Sequence, residues 1–594
     1  MQDQKWTDLL LLLSCQIIPV DIYVIGNWVG VGVQFALFRV QTAIGRWSFI
    51  SLFRDIEFVI RGILSGKTGA GILVWAASAI ILTFALFLFF FHEDACGSGG
   101  RNRGASYRKF IGLSLMGSGG LFLLSLILQY GPFFHGPAGF AIPIGAPFQL
   151  LTGYYLYRRP LGSGQVSPEK IAPAPVSRLP GPGIPRTLFA LVSFLAIFAT
   201  LNYILYAYPD SGGDFSTYCA AVDLWSHQGN PYDIGSMFQS KLQFRTFGTS
   251  YLDSFLYQPA TLPLFEPICG ALRLVYPFRV YFPVYSLVFL MAYLVASKLA
   301  FPGRDRLLLI TLLMAGFSST YWSFSTGNIS ILYLLLVSLV FYYFMKKRYY
   351  ASSLCIALMS IFSIFPIIFS TLYGFSDAPP AKKVKIITFS GLVLGLSLAI
   401  SFAAFPMLSE SFWRQLAGGN SPIYEGSGYK TPTAYLFFQH LAALFIGKDA
   451  FIPYVLDALF IGSILVVLYH YYRKNRTDSP GLFSFGFMAI FLLIPRLKPN
   501  YFALILVPAY ILISREGGMV KTIAIIIGAI IPFIFLVIAD HMPTEGMTGD
   551  PISLMISFGQ FLSALAIFLL IAWLGTRDRV GGGSSPFPAL EGKQ

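Results

Sequence analysis

The sequence predicts an all-α, polytopic integral membrane protein, and three observations support that prediction. Of the 594 residues, 56% are hydrophobic and only 11% are charged, whereas about 25% of the residues of soluble domains are charged. The apolar residues form long continuous runs, which indicate spanning helices because the strands of membrane barrels alternate in polarity. The basic residues form short clusters between these runs, as in cytoplasmic loops. At about 20 residues for each crossing, we expect about 13 transmembrane helices, with a re-entrant hairpin and external interfacial helices.

The net charge of +14 is explained by the basic clusters between the apolar runs, so we expect no nucleic-acid partner. The clusters are Arg158-Arg159, Lys346–Arg348, Lys382–Lys385 and Arg473–Arg476. The composition also excludes a cytosolic enzyme, a disordered chain and a secreted scaffold stapled by disulfides. The five cysteines show no CxxC spacing and no histidine at ligand spacing, so neither a metal site nor a redox role is predicted.

A connector rich in Pro, Gly and Ser divides the chain into two membrane parts. It covers residues 160–186 and follows a basic pair, which places it on the cytoplasmic side. Residues 1–159 form an N-terminal membrane module whose role the sequence does not reveal. Residues 187–575 form the main membrane domain, and residues 576–594 form a flexible C-terminal tail.

In the N-terminal module, three apolar runs predict spans at residues 71–91, 110–134 and 138–157. The segment 39–63 mixes Arg with aromatic residues at helical spacing. This pattern predicts an interfacial amphipathic helix, or a helix packed on the spans.

The main domain contains further apolar runs of spanning length. The predicted spans lie near residues 187–208, 279–300, 307–322, 329–345, 386–406, 451–472, 481–495, 501–514, 521–539 and 552–575. The region 351–376 differs, because it lies between two basic clusters and Pro366 interrupts it. Two cytoplasmic flanks require an even number of crossings, so we expect two short half-helices in a re-entrant hairpin. Irregular backbone within the membrane is tolerated only where it is buried in protein or lines a cavity.

Counting the crossings from the cytoplasmic connector assigns a side of the membrane to each loop. The long loops 209–278 and 407–450 lie on the external side, and so does the short join around residues 495–501. The first residues, MQDQKWTD, lack the basic region of a cleaved signal. With the absence of long polar insertions, this favours a multi-pass protein of a prokaryotic plasma membrane with an extracytoplasmic site.

The first external loop contains an acidic residue at the start of a helical pattern. Gly212 and Gly213 allow the backbone to turn after the preceding span, and Asp214 begins an apolar-periodic run. From the residue type, Asp214 either caps this helix or supplies a carboxylate for chemistry. The turn GNPYD at residues 229–233 then ends the helix.

Four short motifs, in this order, resemble glycosyltransferase family 87 of the GT-C superfamily. They are GDFSTYCAAVDLWSHQGNPYD, LYQPATLPLFEP, STGN before an apolar span, and SIFP. The resemblance extends over residues 187–575. It implies a GT-C-like fold with a catalytic first external loop, a polyprenyl-phosphate sugar as donor, and inversion at the anomeric carbon.

The resemblance also implies roles for residues of the first external loop and of the STGN motif. Asp214 matches the aspartate that serves the family as general base, a role that glycosyl transfer to a hydroxyl requires. Tyr218 lies one helical turn further on and faces the same way. Asp233 matches a family position but has a structural role as its alternative. Tyr257 and Gln258 match the YQP motif, where Gln258 either binds a sugar hydroxyl or stabilises an interfacial turn. Asn328 either bonds the sugar or caps the helix.

A second group of candidate residues follows the span at 481–495. Arg496 and Lys498 are cations on the external side and suit a phosphate ester at the membrane surface; headgroup anchoring is the alternative. Tyr501 is next in line. Many relatives carry a lysine where this chain has Ser363, so one basic contact to the donor is replaced here. No metal and no cofactor are expected, because no carboxylate cluster resembles a divalent site.

The second external loop offers Trp413 or Tyr424 as stacking platforms for a sugar; a mobile loop with one interfacial helix at 432–446 is the alternative. His227 and His440 are expected to be polar rim residues.

We therefore expect a membrane glycosyltransferase that moves mannose or another hexose from a polyprenyl phosphate to a lipid-linked or envelope glycan acceptor, among membrane lipids. The alternatives are a lipid or glycolipid flippase, which paired internal repeats would favour, and a non-catalytic scaffold for envelope assembly.

Overall fold

The computed structural model describes residues 2–26, 30–43, 46–96, 101–136, 139–158, 184–207, 212–233, 235–237, 255–272, 277–299, 306–417, 432–445, 451–494, 497–541 and 551–576. The predicted connector lies outside these ranges except for its last residues, which begin a helix. The predicted tail lies outside them beyond residue 576, and so do Tyr424 and Arg496.

The N-terminal module combines helices with one antiparallel sheet. Its helices are α1 (Gln2–Ile17), α2 (Leu52–Ile60), α3 (Gly66–Cys96), α4 (Arg101–Tyr130) and α5 (Gly145–Arg158). Its strands are β1 (Asp21–Ile25), β2 (Gly30–Gln34), β3 (Phe38–Ala43), β4 (Arg46–Ser51), β5 (His135–Gly136) and β6 (Gly139–Pro143). The strand order is β4-β3-β2-β1-β6-β5. Strands β5 and β6 follow α4, and β6 returns to pair with β1 and packs against α4.

This sheet corrects the prediction for the segment 39–63, of which only Leu52–Ile60 is helical. Residues 38–43 and 46–51 form the antiparallel pair of strands β3 and β4, in which Val40 pairs with Phe49 and the rings of Phe38 and Phe49 stack at 4.9 Å. The period of two was obscured because Arg39 points into the protein, where it forms an ion pair with Asp55. A polar residue on the buried face makes a strand pattern resemble a helical one.

The predicted span at 138–157 is also only partly correct. Its first residues form strand β6, and the helix that follows, α5, has 14 residues. A helix of this length is shorter than the roughly 20 residues that span a bilayer alone. The region therefore belongs partly to the sheet.

The main domain is helical throughout its described residues. Its α-helices are α6 (Ile184–Ala207), α7 (Gly213–Ser226), α8 (Leu262–Leu272), α9 (Pro277–Ser297), α10 (Arg306–Ala315), α11 (Ser319–Thr326), α12 (Ser330–Met345), α13 (Tyr349–Phe362), α14 (Pro380–Ala404), α15 (Pro406–Ala417), α16 (Ala434–Phe445), α17 (Phe451–Lys474), α18 (Ser479–Leu492), α19 (Leu506–Ile513), α20 (Gly518–Ile525), α21 (Ile531–His541), α22 (Pro551–Ser557) and α23 (Gly559–Thr576). Segments of 3₁₀-helix cover Pro259–Thr261, Gly316–Ser318, Phe365–Phe375 and Pro499–Ile505, and a π-helical turn covers Ile526–Ile530.

Within the described ranges, 8 helices are long and apolar enough to cross a membrane, which confirms a polytopic membrane protein. They are Gly66–Phe91, Arg108–Tyr130, Leu188–Tyr206, Arg306–Thr326, Pro380–Ala404, Phe451–Lys474, Gly518–Ala539 and Gly559–Thr576. Other predicted spans coincide with shorter helices, such as α12 with 16 residues and α18 with 14. Both are packed almost wholly inside the protein, where a helix need not match the thickness of the lipid alone.

The break predicted within 351–376 is present. Helix α13 ends at Phe362, Ser363 takes an extended conformation, and the 3₁₀-helix Phe365–Phe375 follows with Pro366 in its first turn. Proline is suited to that position because its missing N–H is not needed there. Two short helical segments thus replace one continuous helix, and their re-entrant placement in the bilayer stays a prediction.

The N-terminal module packs on the main domain through helix α6. Phe84 and Phe87 of α3 lie edge-on to Phe194, with ring centroids 4.9 and 5.4 Å apart. Near the other end of α6, the Tyr206 hydroxyl donates a 3.1 Å hydrogen bond to Glu57 of α2. Helix α6 therefore carries the N-terminal module on one flank and leads directly into the segment that begins with Gly212.

Candidate active site

The candidate site is built around Asp214, which lies in the first turn of α7. Gly212 is the N-cap of this helix, with a left-handed backbone (φ 104°), and its N–H donates a 2.7 Å hydrogen bond to the Ser325 carbonyl. Because Gly212 begins the helix, Asp214 is not its N-cap. The capping alternative for Asp214 is therefore wrong, and the carboxylate of this buried residue (8% exposed) has other contacts.

One of these contacts comes from the STGN motif. The Asn328 side chain donates a 2.6 Å hydrogen bond from Nδ2 to Asp214 Oδ2, and its Oδ1 accepts one of 2.9 Å from the Ser330 N–H. The backbone donor fixes which end of the amide faces the carboxylate, because a carbonyl oxygen alone can accept from an N–H. Asn328 thus accepts from the first N–H of α12 and orients Asp214 at the same time.

The turn that presents Asn328 requires a glycine. Gly327 has φ of 66°, and a Cβ added there would lie 2.6 Å from Phe215 Cβ. The Gly327 carbonyl accepts a 2.6 Å hydrogen bond from the Tyr285 hydroxyl. Close packing against α7 and α9 therefore holds this turn next to the start of α7, where Asp214 lies.

The second charged contact of Asp214 is with Lys498. The Lys498 ammonium lies 3.7 Å from Asp214 Oδ1, and the two side chains are 26% and 10% exposed. The pair therefore opens to the outside of the protein on the lysine side. Lys498 immediately precedes the 3₁₀-helix Pro499–Ile505, so the backbone holds it at the entrance to that segment.

Tyr501 lies in the same 3₁₀-helix and borders the site. Its ring stacks on Tyr333 with centroids 5.8 Å apart and meets Phe365 edge-on at 5.3 Å. The Ser363 side chain lies beside Tyr501. Ser363 therefore borders the site through Tyr501.

Tyr218 and Tyr257 join α7 to the segment before α8. Their hydroxyls lie 2.8 Å apart, and the Tyr218 ring stacks on Phe265 at 4.8 Å. A disulfide between Cys219 and Cys269 joins α7 to α8. No role was predicted for these cysteines, although both lie in the loop predicted to be external, where disulfides form.

Gln258 has contacts that support its structural alternative. The residue is 1% exposed; its Nε2 donates to the Ser360 carbonyl at 3.4 Å, and its Oε1 accepts from the Ser397 hydroxyl at 3.2 Å. Both ends of the amide thus connect α13 and α14 to the start of α8. Sequence reasoning could not find these partners, which lie more than 100 residues further along the chain.

Asp233 has a structural environment of its own. Its exposed carboxylate accepts hydrogen bonds from the Ser236 N–H at 2.9 Å and from the Ser236 hydroxyl at 2.6 Å. These bonds hold the pKa of Asp233 below its usual value. The described structure thus groups Asp214 with Asn328 and Lys498 and leaves Asp233 in a separate turn.

The remaining candidates lie on α7, α15 and α16 or at the ends of these helices. Trp413 is on α15, where it contacts Phe412, and the predicted helix at 432–446 is present as α16. His227 ends α7 and contacts the Asp223 carbonyl at 2.8 Å, and His440 lies on α16 beside Phe558. Among the described residues, no group of three or more His, Cys, Asp or Glu could hold a metal ion.

These features define a class: a polytopic membrane protein with a buried carboxylate, an amide and an ammonium grouped at the ends of its helices. Residues 255–495 match the model of glycosyltransferase family 87, so the chain contains a domain of this family, as the motifs indicated. The family is one of membrane glycosyltransferases. No curated protein and no solved structure matches the chain significantly.

The matched range covers only some of the candidate residues. It includes Tyr257, Gln258 and Asn328, whereas Asp214 precedes it and Lys498 follows it. The tertiary contacts described above connect the two outlying residues to Asn328 inside the matched range.

Proposed function

We propose that this protein transfers a sugar, mannose or another hexose, from a polyprenyl-phosphate donor to a lipid-linked or envelope glycan acceptor on the extracytoplasmic face of the plasma membrane. The observation that carries the proposal is the grouping of Asp214, Asn328 and Lys498 beside a glycosyltransferase family 87 domain. A carboxylate and a cation a few ångströms apart are the two groups that such a transfer needs.

In the proposed reaction, the acceptor hydroxyl attacks the anomeric carbon of the donor sugar. Asp214 takes the hydroxyl proton as the new carbon–oxygen bond forms. The bond between the anomeric carbon and the phosphate oxygen breaks, and polyprenyl phosphate leaves with that electron pair. A single displacement of this kind inverts the anomeric carbon and needs no carboxylate nucleophile.

Lys498 has two successive partners in this scheme. In the substrate-free protein it lies beside Asp214. A bound donor phosphate attracts the same ammonium more strongly, because a phosphate ester offers more charge and more acceptor oxygens than a carboxylate. Movement of Lys498 toward the phosphate then leaves Asp214, held by Asn328, available as the base. Arg496 and Tyr501 complete the proposed phosphate site, and Tyr218 and Tyr257 are proposed to contact the sugar or the acceptor.

Two independent features support the extracytoplasmic placement. The basic clusters between the spans lie on the opposite side of the membrane from the Asp214 loop when crossings are counted. The Cys219–Cys269 disulfide lies within that loop region, and disulfides persist in oxidising compartments rather than in the cytosol.

The test is transfer of radiolabelled sugar from polyprenyl-phosphate-mannose to a total membrane lipid extract by the purified protein. Asp214→Asn should lower transfer by roughly 10²–10⁴-fold, the usual contribution of a general base, while it leaves folding and lipid binding near normal. Asp233→Asn is the matched control. It should retain near-normal transfer, because Asp233 is exposed and its hydrogen bonds to described residues stay within its own turn.

Each outcome has a separate meaning. Transfer from another polyprenyl-phosphate sugar but not from the mannose donor would correct the substrate and keep the mechanism. Full turnover by Asp214→Asn would remove Asp214 as the base. No transfer from any donor would direct the next assay to lipid flipping.

A further inference from the structure

A cluster of buried polar side chains lies on one face of the N-terminal sheet, separate from the proposed catalytic site. Asp21 of β1 pairs directly with Gln34 of β2, and Gln34 pairs with Arg39 of β3. Directly paired residues of antiparallel strands share a face, so the three side chains lie next to one another. Arg39 also reaches α2, where its guanidinium lies 2.6 Å from Asp55 Oδ1.

Asp21 is fully buried and lacks the donors that an ionised carboxylate needs. The residue is 0% exposed, and neither of its carboxyl oxygens has a hydrogen-bond partner among the described residues. The Nε2 atom of Gln34, which is 3% exposed, also has no partner there. A buried carboxylate without donors is unfavourable, and such a group generally takes a proton instead.

The charges around Asp21 lead to the same conclusion. The titratable groups that face it are Tyr23 on its own strand, Arg39 on β3 and Tyr130 at the end of α4, and Asp55 on α2 faces Arg39. One guanidinium therefore serves two carboxyl groups, and its short contact is with Asp55. Two ionised carboxylates would leave one uncompensated negative charge inside the protein.

We propose that Asp21 is a proton-binding site with no part in the proposed catalysis. At neutral pH, Asp21 is a neutral carboxylic acid, and Asp55 is the carboxylate that pairs with Arg39. The proton keeps Arg39 wholly available to Asp55. Asp55 lies on the same helix as Glu57, which accepts the hydrogen bond from Tyr206 of α6. The proton on Asp21 thus stabilises the contact between the N-terminal module and α6, the helix that precedes Asp214 in the chain.

The pKa values of the two carboxyls agree with this assignment. Burial raises the pKa of Asp21 to about 8, against the opposing effect of Arg39. Burial raises the pKa of Asp55 only to about 6, because Arg39 both attracts and hydrogen-bonds its carboxylate. Since the folded protein holds the Asp21 proton more tightly than the unfolded chain does, stability from this group is complete below about pH 4 and is lost as the pH rises to about 8.

The experiment is an infrared pH titration of the full-length protein in detergent, which follows the C=O stretching band of protonated carboxyl groups. The wild type should show the band at neutral pH and lose it with a midpoint at about pH 8. Asp21→Asn should lack this titrating band. Glu410→Gln, which changes a largely exposed carboxyl on α15, is the control and should leave the band unchanged.

If the C=O band is too weak to follow, thermal unfolding of the same proteins provides a second test. The unfolding midpoint of the wild type should fall from pH 6 to pH 9, about the range in which the proton is lost, and that of Asp21→Asn should fall less. A titrating band that persists in Asp21→Asn, or a wild type with no band at neutral pH, would overturn the proposal. A pH midpoint of the C=O band that falls when sodium chloride replaces choline chloride would also overturn it, because an alkali cation would then compete with the proton for the site.

Discussion

The Asn328 amide donates a 2.6 Å hydrogen bond to the Asp214 carboxylate across a sequence separation of 114 residues. The Ser330 N–H fixes the other end of the amide, so the orientation of the bond is set by the backbone of α12. The Asn328 amide contacts Asp214 Oδ2, and the Lys498 ammonium lies beside Oδ1. This arrangement suits a base that must be both oriented and accessible to a substrate.

Removal of the Asn328 amide should impair catalysis without unfolding the protein. A hydrogen bond to a charged group is worth about 1.5–3 kcal/mol, so Asn328→Ala should lower kcat by roughly 10–100-fold. The assay is sugar transfer at saturating donor. Ser325→Ala is the matched control, since among the described residues this hydroxyl in the same turn hydrogen-bonds only to the Trp322 carbonyl of its own helix. Equal losses in both variants would show that the turn as a whole is sensitive and would remove the specific role of Asn328.

Loss of the Lys498 charge should weaken the use of the donor. Lys498→Gln removes the cation that we assign to the donor phosphate and should lower kcat/KM for the donor by roughly 10²–10³-fold, as expected for one lost charge-stabilising group. Lys498→Arg should retain part of the activity because the charge remains. The measurement is the dependence of the rate on donor concentration.

Lys383→Gln provides the control for the charge change. Lys383 is an exposed lysine that donates a 2.8 Å hydrogen bond to the Gly374 carbonyl, beside the predicted cytoplasmic cluster. Its replacement should leave kcat/KM unchanged. A normal kcat/KM in Lys498→Gln would assign that lysine to headgroup anchoring instead.

The Cys219–Cys269 disulfide should stabilise the loop that carries Asp214. It links residues separated by 50 positions, and a cross-link of this kind contributes about 2–4 kcal/mol to the free energy of unfolding. Reductant should therefore lower the thermal unfolding midpoint and the transfer rate of the wild type. The double variant Cys219→Ala/Cys269→Ala should start from the lower values and be insensitive to reductant.

Cys355→Ala serves as the control for this experiment, because Cys355 is a buried free cysteine. Its response to reductant should equal that of the wild type. Mass spectrometry of unreduced, proteolysed protein should detect the Cys219 and Cys269 peptides as one linked species. Free thiols at both positions in protein isolated from its membrane would argue against the external placement of the loop.

Local patterns in the sequence were sufficient for much of the helical architecture. The glycine pair before Asp214 marks the start of α7, Pro366 marks the break after α13, and the apolar run near residue 434 marks α16. Each of these features depends on residues within a few positions of one another. Backbone preferences of glycine and proline act over that range.

The N-terminal sheet could not be predicted in the same way. Strand β1 depends on pairing with β6, which follows it by more than 110 residues, and Arg39 disguises the alternation of β3. An arginine on a buried face is tolerated only because Asp55 lies opposite to it. That partner is a tertiary contact, which periodicity within one segment does not reveal.

The sequence by itself determined that this protein crosses the membrane several times and carries glycosyltransferase family 87 motifs, because composition and short motifs are properties of the chain alone. Only the tertiary structure decided which polar groups meet. It brought Asp214 to Asn328 and Lys498, left Asp233 in a turn of its own, and connected both ends of Gln258 to other helices. The physical reason is that hydrogen bonds and ion pairs form within a few ångströms, whereas these partners are separated by more than 100 residues and are brought together by helix packing.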